Sequence, residues 1–210
     1  MLKITNFKKS YNKDIVLQID NLTIESGINW VRGANGSGKS TFLKSAAGII
    51  GFDGDLLLGS AVSIKEQPVS YRKLVNFAEA EPVFPEFLTG TDLIRLFMKA
   101  KSAPVKQADY FIETMKMESY VGDPVGSFSS GMHKKLSLLL AFIGNPQLIL
   151  LDEPLITMDS ESLETLYVWI TDYHLKLGTD FLLSSHQAFD KSLLPGIKAL
   201  MVADHTLKYV

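Results

Sequence analysis

The stretch Gly33-Ala34-Asn35-Gly36-Ser37-Gly38-Lys39-Ser40 constrains this chain more than any other. Its glycines permit tight turns and leave the backbone open to close approach. On its amino side, Ile28-Asn29-Trp30-Val31 reads as a short buried strand; on its carboxyl side, Thr41 to Ala47 reads as the start of a helix. A strand, a glycine-rich turn and a helix N-terminus, in that order, aim backbone N–H groups and the positive end of a helix dipole at one spot. The octet fits G-x-x-x-x-G-K-[ST], the loop that cradles nucleotide phosphates. Lys39 then supplies a cation for the terminal phosphates and Ser40 a hydroxyl for Mg²⁺. Gly33, Asn35, Gly36, Ser37, Gly38 and Thr41 complete the expected nucleotide-binding set.

The rest of the chain organises around that loop. Ile15 to Ile19 and Leu22 to Ile24 alternate as strands, with turns expected at Asp20-Asn21 and Ser26-Gly27. Leu56 to Leu58 and Leu74 to Phe77 are further strand candidates. Pro82 and Pro85 interrupt regular structure. From Thr89 the period becomes helical: Leu93, Leu96 and Phe97 share one face, and Phe111, Ile112 and Met115 another. After a loop at Gly122 to Ser127, a helix begins near Gly131 and runs to Ile143. Leu148 to Leu151 is a continuous apolar run of the kind buried in a parallel sheet. Ser160 to Tyr173 reads as a helix burying Leu163, Leu166, Tyr167 and Ile170. Phe181 to Leu183, Ile197 to Val202 and Leu207 to Tyr209 read as strands. This order predicts one α/β domain over residues 1–210 with a mainly parallel sheet, an N-terminal antiparallel β subdomain and an inserted helical subdomain at roughly 82–135.

Two strands in this scheme end in reactive side chains. The run Leu148 to Leu151 delivers Asp152 and Glu153 to the carboxyl edge of the sheet, where open α/β sheets bind ligands. Asp152 is the candidate for holding Mg²⁺, and Glu153 for orienting or deprotonating a water that attacks the γ-phosphate. His186, after Leu182-Leu183-Ser184-Ser185, ends a second such strand within reach of the same phosphate. Ser129 is a candidate N-cap, followed by Ser130 and by Gly131, which leaves the helix N-terminus bare for an anion.

Composition excludes several classes of function. Hydrophobic residues make up 46% of 210, enough for a substantial core, and a formal net charge of −2 argues against a nucleic-acid surface. With no cysteine, disulfides and thiolate metal sites are excluded. The start Met1-Leu2-Lys3-Ile4-Thr5-Asn6 is not expected to be a secretory signal. The longest apolar run, Leu138 to Ile143, is too short to cross a bilayer.

Taken together, the order of motifs resembles the nucleotide-binding domain of ATP-binding cassette transporters, over essentially the whole chain. Gly33 to Ser40 is similar to the Walker A motif, and Leu148 to Glu153 to Walker B with its catalytic glutamate. Phe128 to Met132 lies where the family carries Leu-Ser-Gly-Gly-Gln. Ile156 to Asp159 falls at the D-loop and His186 at the switch histidine. Tyr11 falls where the family stacks an aromatic on adenine, though a half-buried tyrosine near a strand fits that position too. In the signature only Ser129 and Gly131 match, as in ABC-2-type exporters. At the Q-loop, Ala80 stands where glutamine is expected; Glu79 or Glu81 takes its place, or the contact is missing.

The resemblance implies an ATPase that sandwiches two ATP between two copies, each copy's loop at 33–40 covered by Ser129, Ser130 and Gly131 of the other. It implies a transmembrane permease on another chain, and a cytoplasmic location at the inner face of the membrane through that partner. Phe84, Pro85, Phe87 and Leu88 either face the permease or pack within the helical subdomain. Alternatives are a cytosolic cassette ATPase outside transport, or a regulator that binds nucleotide without hydrolysis. There is no room for the coiled coils of DNA-repair relatives, and there is one cassette where translation factors carry two. Glu153 and His186 favour hydrolysis. Small size and the odd signature lean towards export.

Overall fold

A computed structural model describes every residue except Ser60. Two sheets sandwich one helix, and further helices cover the outer face of the second sheet. The first sheet is antiparallel, in the order β2 (Asp14–Ile24), β1 (Leu2–Tyr11), β4 (Asp53–Leu58), β5 (Val62–Ser63). In the second, β9 (Lys198–Ala203), β3 (Ile28–Arg32), β8 (Asp180–Ser184), β7 (Leu148–Asp152) and β6 (Val75–Ala78) run parallel. The edge strand β10 (Thr206–Tyr209) is antiparallel to β9.

The central strands read as unbroken apolar runs because both faces are buried. Ile149 and Leu151 of β7, Phe181 and Leu183 of β8, and Ile28 and Trp30 of β3 face one core. Leu148, Leu150, Leu182 and Val31 face the other. The first core is closed by α3 (Gly90–Ala100), α4 (Gln107–Thr114), α5 (Ser130–Phe142) and α6 (Ser160–Leu177). The second is closed by α1 (Lys39–Ala46) and the antiparallel sheet, where Phe7 stacks on Phe52 and meets Phe42 edge-on. A further short helix, α2 (Pro68–Leu74), leads into β6.

The structure differs from these expectations at several points. No turn interrupts the chain at Asp20-Asn21; β2 continues through both, with Asn21 opposite Thr5 of β1. The partner strand β1, which buries Leu2, Ile4 and Phe7, and the helix α2 are additional to the expected elements. Leu74 closes α2, leaving β6 to start at Val75. Leu96 is 57% exposed, while its expected companions on the face, Leu93 and Phe97, join the core. Phe84 and Leu88 pack against the first core, as the second reading of that loop expects, while Phe87 stays exposed.

Candidate functional site

The loop between β3 and α1 needs glycine at two points for different reasons. A Cβ on Gly33, at φ 154°, would meet the hydroxyl of Ser37 at 2.6 Å and the carbonyl of Val202 at 2.7 Å. Gly38 begins α1 from a left-handed conformation, φ 106°. With no side-chain cap, the first amides of α1 have no capping oxygen of their own. The Ser37 hydroxyl is buried without a hydrogen-bond partner. Lys39 is 5% exposed, and its Nζ donates to the carbonyls of Gly33 (3.0 Å) and Ala34 (3.1 Å). Burial lowers the Lys39 pKa, against the opposing pull of Glu153 and Asp152.

Strand register assembles the acids beside this loop. Ser184 is paired with Val31 on one side and Asp152 on the other, so the ends of β3, β8 and β7 are level. The Ser184 hydroxyl donates to Asp152 Oδ1 at 2.5 Å and accepts from the Glu153 amide at 3.1 Å. Glu153 follows in a left-handed conformation, φ 44°, uncommon outside glycine and a mark of local strain. His186 donates its backbone N–H to Glu153 Oε2 at 3.2 Å. Its Nε2 lies 3.2 Å from Glu153 Oε1 and 3.4 Å from Lys39 Nζ. That nitrogen can accept from the ammonium or donate to the carboxylate, one at a time. The Nε2–Oε1 approach lacks hydrogen-bond alignment, leaving Oε1 buried and unpartnered. Behind the histidine, the Trp30 indole donates to the Ser185 carbonyl at 3.2 Å and packs edge-on to Phe189.

Asn35 to Thr41, Glu153 and His186 line one cavity of about 300 Å³. Ser129, Ser130 and Gly131 lie elsewhere, at the start of α5. Ser129 caps the helix, accepting from the Met132 amide at 3.2 Å. Ser130 lines a second cavity of about 510 Å³, with Ala80, Glu81, Pro82, Phe128, His133 and Thr157. Tyr11 is half exposed at the end of β1 under the Lys9 ammonium, and is absent from both linings. Glu79 is engaged by Lys44 of α1, and Glu81 is exposed.

Two further residues shape this region. One is Ser184; the other is Lys134 on α5. Lys134 is 1% exposed, and its Nζ reaches the carbonyls of Glu79, Ala80 and Asp152. Burial pushes its pKa down to about 8, opposed by Asp152, Glu153 and Glu79.

No cluster of three or more His, Cys, Asp or Glu side chains suited to a metal occurs among the described residues. A divalent ion here would therefore draw on phosphate oxygens and water besides Ser40 and Asp152. Ser40 and Glu153 line the cavity at the loop, and Asp152 lies buried next to Glu153; a hydroxyl and carboxylates are hard oxygen donors of the kind that suit Mg²⁺.

The sequence profile of the ABC transporter family matches residues 17–156. The chain belongs to that family. It is the family's nucleotide-binding cassette, the unit that binds and hydrolyses ATP. It is 30% identical over 193 residues to a tungstate uptake system ATP-binding protein from Peptoclostridium acidaminophilum, covering 88% of this chain and 86% of that one. It is 28% identical over 204 residues to ABC transporter A family member 8 of Dictyostelium discoideum, covering 91% of this chain but 24% of the larger protein. A dimeric ATP-binding cassette solved in a post-hydrolysis state with ADP and Pi superposes at TM-score 0.84 and 18% identity, over 99% of this chain and 97% of that one. Among the described residues, no helix is long and apolar enough to cross a membrane.

Proposed function

We propose that this chain is a Mg²⁺-dependent ATPase subunit that works in pairs and drives a separate membrane-spanning subunit from the cytoplasmic face. The loop at 33–40 holds the phosphates, with Lys39 on the terminal ones and Tyr11 against the adenine. Ser40 and Asp152 would hold Mg²⁺, which would supply charge neutralisation at the phosphates. Glu153 accepts a proton from the attacking water, and His186 contacts the γ-phosphate. Ser129, Ser130 and Gly131 donate to the nucleotide held by the second copy.

The observation that supports pairing is the division of these groups between two cavities of one chain. Asn35 to Thr41, Glu153 and His186 line one; the start of α5 borders the other. Within one copy, no described residue at the start of α5 lines the cavity at the loop. The dimeric cassette relative, named for that state, supports the same arrangement here. Tungstate uptake is the named role of one relative.

The test is ATP-dependent dimerisation by sedimentation in a Glu153→Gln background, with Ser129→Arg added. A dimer that forms with ATP and is lost on adding Ser129→Arg, with ATP affinity retained, is the expected result. Removing a helix cap alone costs about 1 kcal/mol of stability and spares the dimer. A dimer of unchanged affinity overturns the role of Ser129 across the interface.

A further inference from the structure

Lys134 is fully buried, yet among the described residues it has no carboxylate within ion-pair distance. A buried ammonium without a bonded counter-ion is costly unless all its protons are used. Here they are used on main-chain oxygens: Asp152 at 3.0 Å, Glu79 at 3.1 Å and Ala80 at 3.2 Å. Those carbonyls belong to two chain segments far apart in sequence, the end of β7 and the stretch leaving β6. The lysine stands on a third element, α5, just over a turn beyond its Ser129 cap.

One nitrogen therefore joins three parts that the reaction must keep in register. One carbonyl is that of Asp152 itself, with Glu153 following it. Ala80, whose methyl carries no donor or acceptor, is held through another. The helix start that would face the second copy's nucleotide is fixed to both. Among the described residues Lys134 makes no hydrogen bond to the loop at 33–40, where Lys39 is held by the carbonyls of Gly33 and Ala34 beside His186. The adjacent His133 adds a looser contact from the same helix turn, its ring parallel to that of Phe84 at 6.3 Å.

Resting on the ATPase reading above, we infer that Lys134 is a positioning residue for hydrolysis, setting the Asp152-Glu153 turn and the 79–80 segment against α5. Three carbonyls converging on one point require a donor with three protons. Methionine fills similar space and supplies none, and glutamine supplies two on a shorter stem.

The experiment compares wild type, Lys134→Met and Lys134→Gln for steady-state ATPase activity, calorimetric ATP affinity and amide hydrogen exchange. In Lys134→Met, kcat should fall at least about tenfold, the usual scale for losing hydrogen bonds to a charged group. ATP affinity should stay within about twofold, because the loop at 33–40 is untouched. Amides in 79–84 and 152–157 should exchange at least about tenfold faster, with no change in 33–41. Lys134→Gln should fall between, and it decides the same readings should the methionine variant not fold. A kcat within about twofold of wild type in a folded variant overturns the inference. So does a parallel loss of ATP affinity with faster exchange throughout, the sign of a general packing role. Wild type that hydrolyses no ATP would instead overturn the ATPase reading, leaving the exchange pattern to judge Lys134 separately.

Discussion

Replacing Ser184 with alanine removes one buried hydroxyl with two jobs. It donates to Asp152 Oδ1 at 2.5 Å and accepts from the Glu153 amide at 3.1 Å. The two losses are unequal. The Glu153 amide also donates to the Ser184 main-chain carbonyl at 3.1 Å, and that bond survives the substitution. Asp152 is 1% exposed, and among the described residues its Oδ1 has no second donor to replace the one lost. A single oxygen also leaves too small a space for a water to enter. The cost is then that of one charge-assisted hydrogen bond, about 1.5–3 kcal/mol. At roughly 2–4 °C per kcal/mol for a chain of this size, the midpoint should fall by about 3–12 °C. Thermal unfolding without nucleotide measures it, with Ser185→Ala as comparison. The Ser185 hydroxyl accepts only from the neutral Gln187 amide at 3.0 Å and should cost less, about 0.5–1.5 kcal/mol. A Ser184→Ala midpoint within about 1 °C of wild type, or a loss no larger than that of Ser185→Ala, would refute the reasoning.

Lys39→Ala should weaken ATP binding by about 1.5–3 kcal/mol, roughly 10–150-fold, and unchanged affinity by calorimetry would remove Lys39 from the phosphate site. Glu153→Gln keeps the shape of the side chain and loses the base, so steady-state turnover should drop by about 10²–10⁴; a wild-type rate rules Glu153 out as the base. Lys101 tests the electrostatics away from the site. Its Nζ donates to the carbonyls of Arg72 and Val75, and burial pushes its pKa down to about 8 from an ordinary 10.5. Between those values the unfolded chain keeps a proton that the folded chain has released, so stability from this group rises with pH. Wild type should therefore gain on Lys101→Met as pH is raised from 8 to 10.5 in denaturant titrations, and a constant difference across that window contradicts the shift.

The parts of this protein that sequence alone determined are those whose physics is local. The loop at 33–40 carries its glycines, lysine and serine within eight residues, and the adjoining strand and helix follow from their own runs of side chains. Leu148 to Leu151 announces burial on both faces before any partner strand is known, and Asp152 and Glu153 must emerge wherever it ends. Local signals also misled. Asp20-Asn21 has turn chemistry, but pairing with β1 carries the strand straight through. Leu96 falls on a helical period, yet which part of an amphipathic face meets the core depends on where neighbouring helices lie. Ser184 gains its meaning from strand register, which sets it beside an aspartate 32 positions away. Lys134 looks in sequence like any helix lysine. It becomes a buried clamp because the fold brings three carbonyls from two other segments to its tip, up to 55 residues away. Such convergence is a property of packing, and no pattern of neighbours along the chain encodes it.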